Sequence, residues 1–256
     1  MINNNKILSV ITARANSKGL PGKNTRILAM RPLVQWSMIH SLASRYVDFT
    51  VVSSNCEKVK EATDDLLSWD MGYEWKLYDL MELIEDGNPD NRLRFVQRPD
   101  EFATDTSPNE EALIHAYHYC KENFDFQADW IMNLQPTSPV RTHGLVDKCI
   151  EKMYASYADS LLTVTRTTPF MWQYKGLNIE CNYDVVNRPM RQKIQDDAWL
   201  FHDNGNVYIT EVSVLLERKC RIGLTPVIFE TDKFQSLQID DEQDFILIEK
   251  IMKEIL

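Results

Sequence analysis

Residues 7–24 read Ile7-Leu-Ser-Val-Ile-Thr-Ala-Arg14-Ala-Asn-Ser17-Lys18-Gly19-Leu-Pro21-Gly22-Lys23-Asn24, and the rest of the chain is arranged around them. The apolar run Ile7 to Ile11 predicts a strand buried on both faces. Small, polar and turn-forming residues follow it, with Arg14, Lys18 and Lys23 threaded through them. A strand that opens into a loop with exposed N–H groups and fixed positive charge is a cradle for an anion. Gly19 and Gly22 allow the backbone to approach a phosphate closely, and Asn16 is of a type that tolerates a positive φ. The loop is not a Walker A sequence, because Asn24 follows Lys23 and no glycine stands five residues before Gly22.

The distribution of charge points the same way. The chain carries a formal net charge of −10, yet no Asp or Glu precedes Asp48. Lys6, Arg14, Lys18, Lys23, Arg26, Arg31 and Arg45 make the first 47 residues +7, which leaves −17 on the other 209. A local basic site on an acidic protein favours a small polyanion; a nucleic acid would need a broad basic face. A merely solvated basic tail would not be interleaved with strand and turn residues.

At 256 residues, 44% hydrophobic and 26% charged, the chain suits one α/β domain spanning 1–256, soluble and cytoplasmic. No apolar run approaches the ~20 residues that cross a bilayer. The first residues lead into the loop with no signal-peptide pattern. Five cysteines, Cys56, Cys120, Cys149, Cys181 and Cys220, are an odd number at wide spacings, which argues for reduced thiols.

Outward from the loop, helix and strand patterns alternate. Pro32 starts a helix, Phe49 to Ser54 is a β-branched strand, and Glu57 to Leu67 is amphipathic. This rhythm predicts right-handed crossovers and a mostly parallel sheet whose ligands sit at the strands' carboxyl ends. Residues 68–94 read as an aromatic-rich helical insertion. Phe95-Val96 is a short strand, and Ser107-Pro108 a helix start with Ser107 as cap. His115 and His118, three apart, are explained by an amphipathic helix and have no third ligand nearby. Trp130 to Gln135 is an apolar strand whose exit is stiffened by Pro136 and Pro139. A helix from Leu145 to Ala155 and a strand from Leu161 to Thr165 follow. Residues 166–200 lose the alternation and read as an arm. Asn204-Gly205 is a turn dipeptide before a strand at Val207 to Ile209. Ser236 to Asp241 reads as a strand before the last helix, and in Gln238-Ile-Asp240-Asp241 the carboxylates suit either a cation or the cap of that helix.

Four stretches together resemble the acylneuraminate cytidylyltransferases, the CMP-sialic acid synthetase-like family. They are Arg14-x-x-Ser17-Lys18-Gly19-Leu20-Pro21-x-Lys23-Asn24, Arg98-Pro-Asp-Glu-Phe-Ala-Thr-Asp105, Leu134-Gln-Pro-Thr-Ser-Pro-Val-Arg141 and Phe201-His-Asp-Asn-Gly-Asn-Val-Tyr208-Ile. The resemblance implies a Rossmann-like nucleotidyltransferase fold with a small dimerisation arm at 166–200. It implies a homodimer that binds neither membrane nor nucleic acid and makes a CMP-activated acidic sugar from CTP. Arg14, Lys23 and Asp240 would be catalytic, and Ala13, Ser17, Lys18, Asn24, Arg98 and Asn109 would contact CTP. Gln135, Thr137, Ser138, Arg191, Phe201, Asn204 and Tyr208 would hold the sugar. Mg²⁺ would sit on Asp240, with Gln238 where relatives carry a second aspartate. Met171 stands where sialate-specific members have a lysine, which leaves the sugar open among related nonulosonates. The alternatives are a cytidylyltransferase for another acid, such as an eight-carbon 2-keto sugar or a phosphonate, and a homologue with impaired catalysis.

Overall fold

The computed structural model describes residues 2–67, 92–168, 170–194 and 199–255. Its strands are β1 (Ile7–Thr12), β2 (Ile27–Leu28), β3 (Arg31–Pro32), β4 (Phe49–Ser54), β5 (Leu93–Gln97), β6 (Trp130–Asn133), β7 (Ser160–Thr167), β8 (Trp172–Lys175), β9 (Asn178–Cys181), β10 (Leu200–Glu211) and β11 (Pro226–Glu230). Its helices are α1 (Leu33–Leu42), α2 (Glu57–Leu67), α3 (Asn109–Asn123), α4 (Leu145–Ser156), α5 (Val212–Arg218) and α6 (Glu242–Ile255).

Seven strands form one sheet in the order β11-β7-β10-β6-β1-β4-β5. Every pairing is parallel except those of β10 with β6 and β7. β1 lies centrally because both of its faces are apolar. Ile7 and Ile11 pack with Met38, Val59 and Cys149 on one side, while Leu8 and Val10 meet Leu113 and Leu215 on the other. The chain winds from β1 out to β5 and then returns to the opposite side of β1 as β6. Such a reversal leaves a crevice at the carboxyl ends of the two strands, the usual ligand position in open α/β sheets. A third apolar cluster joins Leu20 of the cationic loop to Trp36, Ile239, Phe245 and Met252, so α6 and the turn before it are packed onto the loop. Among the described residues no helix is long and apolar enough to cross a membrane.

Several local expectations are corrected. Pro108, not Ser107, occupies the cap position of α3, with no side-chain capping bond. The Ser107 hydroxyl is already committed to the preceding turn, where it donates to the Glu101 carbonyl at 2.8 Å. β6 ends at Asn133, two residues earlier than the apolar run predicts. Asn204-Gly205 does not reverse the chain. Both of its flanks pair with β7, Asp203 opposite Val164 and Tyr208 opposite Leu162, so four residues of β10 face Thr163 alone in a bulge. Gly205 supplies the positive φ of +66° there. Residues 236–241 are not a strand, and Asn16 does not adopt a positive φ.

The arm extends the β7–β10 pair beyond the sheet, starting where Leu200 faces Thr167. It carries the hairpin β8–β9, and Trp172, Tyr174, Leu177, Ile179, Val186 and Met190 are each more than half exposed. The insertion read at 68–94 falls outside the described residues except for Arg92 to Arg94, and of these Leu93 and Arg94 already belong to β5, not to a helix.

Candidate active site

A cleft of about 510 Å³ opens at the carboxyl ends of β1 and β6. The cationic loop forms one wall, the segment from Arg98 to Asn109 the second, and Gln135 to Thr137 the third. Asp240 joins the loop wall because of the α6 packing described above.

The loop's shape follows from a few contacts. Gly22, with φ +67°, turns the chain into a short 3-10 turn, Lys23–Thr25. Asn24 is buried and donates its amide to the Arg14 carbonyl at 3.0 Å, which ties the two ends of the loop together. Lys23 is largely covered. Its Nζ donates to the Ile239 carbonyl at 2.7 Å and lies 3.5 Å from the Asp240 carboxylate. Burial pulls the Lys23 pKa below the usual lysine value, and Asp240 opposes that shift. Arg14 donates to the Thr104 carbonyl at 2.7 Å and pairs with Asp105 at 3.2 Å. Lys18 reaches the same carboxylate at 3.1 Å.

Gly19 is needed for a reason the loop sequence does not disclose. A Cβ at this position would lie 2.1 Å from the backbone oxygen of Asp240. Gly19→Ala is therefore expected to push the Asp240 turn off the loop, at a cost of about 1–3 kcal/mol in stability. Thermal melting and turnover of the variant should fall together; an unchanged melting temperature would contradict this packing.

On the second wall, Arg98 is buried and donates to the Ser53 hydroxyl at 3.1 Å and the Ser53 carbonyl at 2.5 Å. Burial lowers its pKa to about 10, with the Arg14 charge adding to the effect. Asn109 donates to Asn133 Oδ1 at 2.9 Å, and Asn133 donates in turn to the Val10 carbonyl. Gln135 and Thr137 complete the cleft, and Ser17 lies on the loop side.

Thus Arg14, Ser17, Lys18, Lys23, Asn24, Arg98, Asn109, Gln135, Thr137 and Asp240 are brought together. The other expected residues do not line this cleft. Ala13 is buried and spends its N–H on the Ser53 carbonyl at 3.0 Å. Ser138 is fully buried and donates to the Asn204 carbonyl at 3.3 Å. Asn204 is fully buried too. Its amide donates to the hydroxyls of Thr165 and Thr231 and accepts from Thr163, which shapes the bulge. Tyr208 donates to Asp203 at 2.8 Å beneath the Arg221 guanidinium, and burial raises its phenol pKa. Phe201 sits beside Arg166, and Arg191 lines a separate hollow with Trp199 and Lys233. Gln238 and Gln135 both pack against Gly205, where a Cβ would come within 2.7 Å of each amide. Gln238 itself is not part of the cleft wall.

Asp240 and Asp241 separate cleanly. The Asp241 carboxylate accepts from the N–H groups of Gln243 at 2.8 Å and Asp244 at 3.0 Å, and so caps α6. Asp244 reaches back to the N–H groups of Asp240 and Asp241, a reciprocal box. This leaves the Asp240 carboxylate facing the cleft. Among the described residues no three His, Cys, Asp or Glu side chains converge on one point. The residue that sequence reading passed over is Asp105, although it ends the segment that begins at Arg98.

Comparison with known proteins agrees with this geometry. A family model described as cytidylyltransferase matches residues 8–67, which include most of β1, the loop and α2. The chain is 26% identical over 253 residues to the CMP-N,N'-diacetyllegionaminic acid synthase of Legionella pneumophila, covering 97% of each protein. It is 25% identical over 244 residues to the N-acylneuraminate cytidylyltransferase of Escherichia coli, covering 94% of this chain but only 51% of that protein. The fold matches that of a CMP:2-keto-3-deoxy-manno-octonic acid synthetase solved with CTP, with a TM-score of 0.63 at 15% identity over 98% of this chain and all of the other. The chain therefore has the Rossmann-like sheet of that synthetase, and its sequence is similar to those of cytidylyltransferases, the acylneuraminate enzymes among them.

Proposed function

We propose that the protein transfers CMP from CTP to an acidic 2-keto sugar of the nonulosonate type, with release of pyrophosphate. The observation that carries this reading is one cleft holding Arg14, Lys18 and Lys23 opposite Gln135 and Thr137, at the switch point of the sheet. The sugar's anomeric hydroxyl attacks the α-phosphorus in line, the bond to the β-phosphate oxygen breaks, and the hydroxyl proton passes to solvent. Negative charge grows on the leaving pyrophosphate, and the three fixed cations stabilise it there. Arg98 and Asn109, held by Ser53 and Asn133, suit the nucleoside end. Gln135 suits the sugar hydroxyls.

Mg²⁺ fits the residues present. Three quarters of the Asp240 side chain is exposed on the cleft, and Mg²⁺ readily binds through one carboxylate, phosphates and water. Bound there, it would supply further positive charge to the phosphates. Asp240 would hold it, and Gln238, off the cleft wall, would act indirectly through Gln135 and Gly205.

The decisive experiment is pyrophosphate release with CTP and a panel of acids: nine-carbon nonulosonates, an eight-carbon 2-keto sugar and a phosphonate. Turnover with the nonulosonates is expected. Turnover with only another acid would reassign the substrate, and none with any of them would remove the reading.

We also propose a homodimer as the working unit, built through the arm at 166–200. Trp172, Tyr174, Leu177, Ile179, Val186 and Met190 are all more than half exposed on this short segment, and a partner subunit would cover them. Arg191 sits on this arm, away from its own cleft. Sedimentation at micromolar concentration is expected to show a dimer; a fully active monomer would exclude it.

A further inference from the structure

The two outer cations of the loop share an internal anion. Asp105 Oδ1 lies 3.2 Å from Arg14 Nη1, and its Oδ2 lies 3.1 Å from Lys18 Nζ, so one carboxylate bridges both. All three side chains line the cleft. The backbone carrying Asp105 is held in place by its neighbours. Ser107 donates to the Glu101 carbonyl, the hydroxyls of Thr104 and Ser107 meet at 2.6 Å, and Asn55 donates to Asp100 at 2.9 Å. The carboxylate itself is more than a third exposed. It can therefore swing into water while its loop stays fixed.

Resting on the polyphosphate reading above, we infer that Asp105 is a built-in competitor for the cations that bind the nucleotide's phosphates. In the free protein it occupies Arg14 and Lys18, and a polyphosphate must displace it to reach them. Both cations stay positioned and charge-balanced while the cleft is empty. The same carboxylate re-forms its pairs as pyrophosphate departs, which weakens product binding along with substrate binding. Asp105 is thus a positioning residue that sets phosphate affinity through Arg14 and Lys18. Because the pairs are half-exposed, the effect is modest: removing the carboxylate should tighten polyphosphate binding by about threefold to tenfold. Salt should shrink that gain, since it screens exposed charges.

The test is calorimetric titration of the full chain, wild type beside Asp105→Asn and Asp105→Ala, with CTP and separately with inorganic tripolyphosphate. Both variants should bind both ligands more tightly, with the gain fading at high salt. In steady state KM for CTP should fall while kcat does not rise, a split that a purely structural role would not produce. Unchanged or weaker binding of tripolyphosphate by both variants would overturn the inference. If wild type binds tripolyphosphate but not CTP, and the variants tighten it, the competitor role stands and the CTP reading fails. If wild type binds neither, both fall.

Discussion

Replacing Asp240 with asparagine is expected to lower turnover by about a hundredfold or more, on the order of 3 kcal/mol, while the fold persists. The carboxylate lies on the cleft, and its neighbour Asp244 carries the backbone bonds of the turn, so the amide variant keeps the turn while losing the carboxylate's charge and with it the ion pair to Lys23. The Mg²⁺ concentration for half-maximal rate should rise in the same variant. Asp241 supplies the control. Its carboxylate caps α6, and asparagine caps almost as well, so Asp241→Asn should be nearly silent. Asp241→Ala should lose about 1 kcal/mol of stability, read from the denaturant midpoint, with near-normal turnover. Should Asp241→Asn damage turnover more than Asp240→Asn, the roles of the two carboxylates would have to be exchanged.

Lys23→Ala is expected to cost roughly a hundredfold in turnover, about 3 kcal/mol, because it removes a fixed charge aimed at the leaving group. Lys23 is the most enclosed of the three loop cations and the one beside Asp240. Its loss also strands the Ile239 carbonyl, for which about 1 kcal/mol of stability should disappear. Measuring turnover and thermal stability together separates the two effects. Lys23→Arg keeps the charge but not the compact ammonium that fits between a carbonyl and a carboxylate, and it should recover only part of the rate. Near-wild-type turnover in Lys23→Ala would remove the loop from the catalytic site.

The sheet was legible because its main causes are local. Ile7 to Ile11 is an apolar run and Phe49 to Ser54 a β-branched one, as strands buried on both faces tend to be, and Glu57 to Leu67 has the spacing of a surface helix. The cationic loop was legible from residue chemistry, since glycines and cations after a strand leave few other uses. Gln135, Thr137 and Asp240 reach the cleft as their motifs imply.

Other positions could be read only from the fold, because their fate depends on partners distant in sequence. Asn204 has the chemistry of a sugar ligand, yet hydroxyls from Thr163, Thr165 and Thr231 claim its amide. Ser138 is drawn to the Asn204 carbonyl, 66 residues away, and Tyr208 to Asp203 across the bulge. The Asn-Gly pair at 204–205 specifies a positive φ but not its use; a turn became a bulge because both flanks found the same neighbour, β7. Asp105 lies 91 positions from Arg14 and 87 from Lys18, so its pairing with both cations is a product of the fold. Chain chemistry by itself determined which residues could bind a polyphosphate, whereas the tertiary structure decided which of their polar atoms were left facing the cleft. The physical reason is that a buried polar group must be paired, and its partner is chosen by the packing of the whole chain.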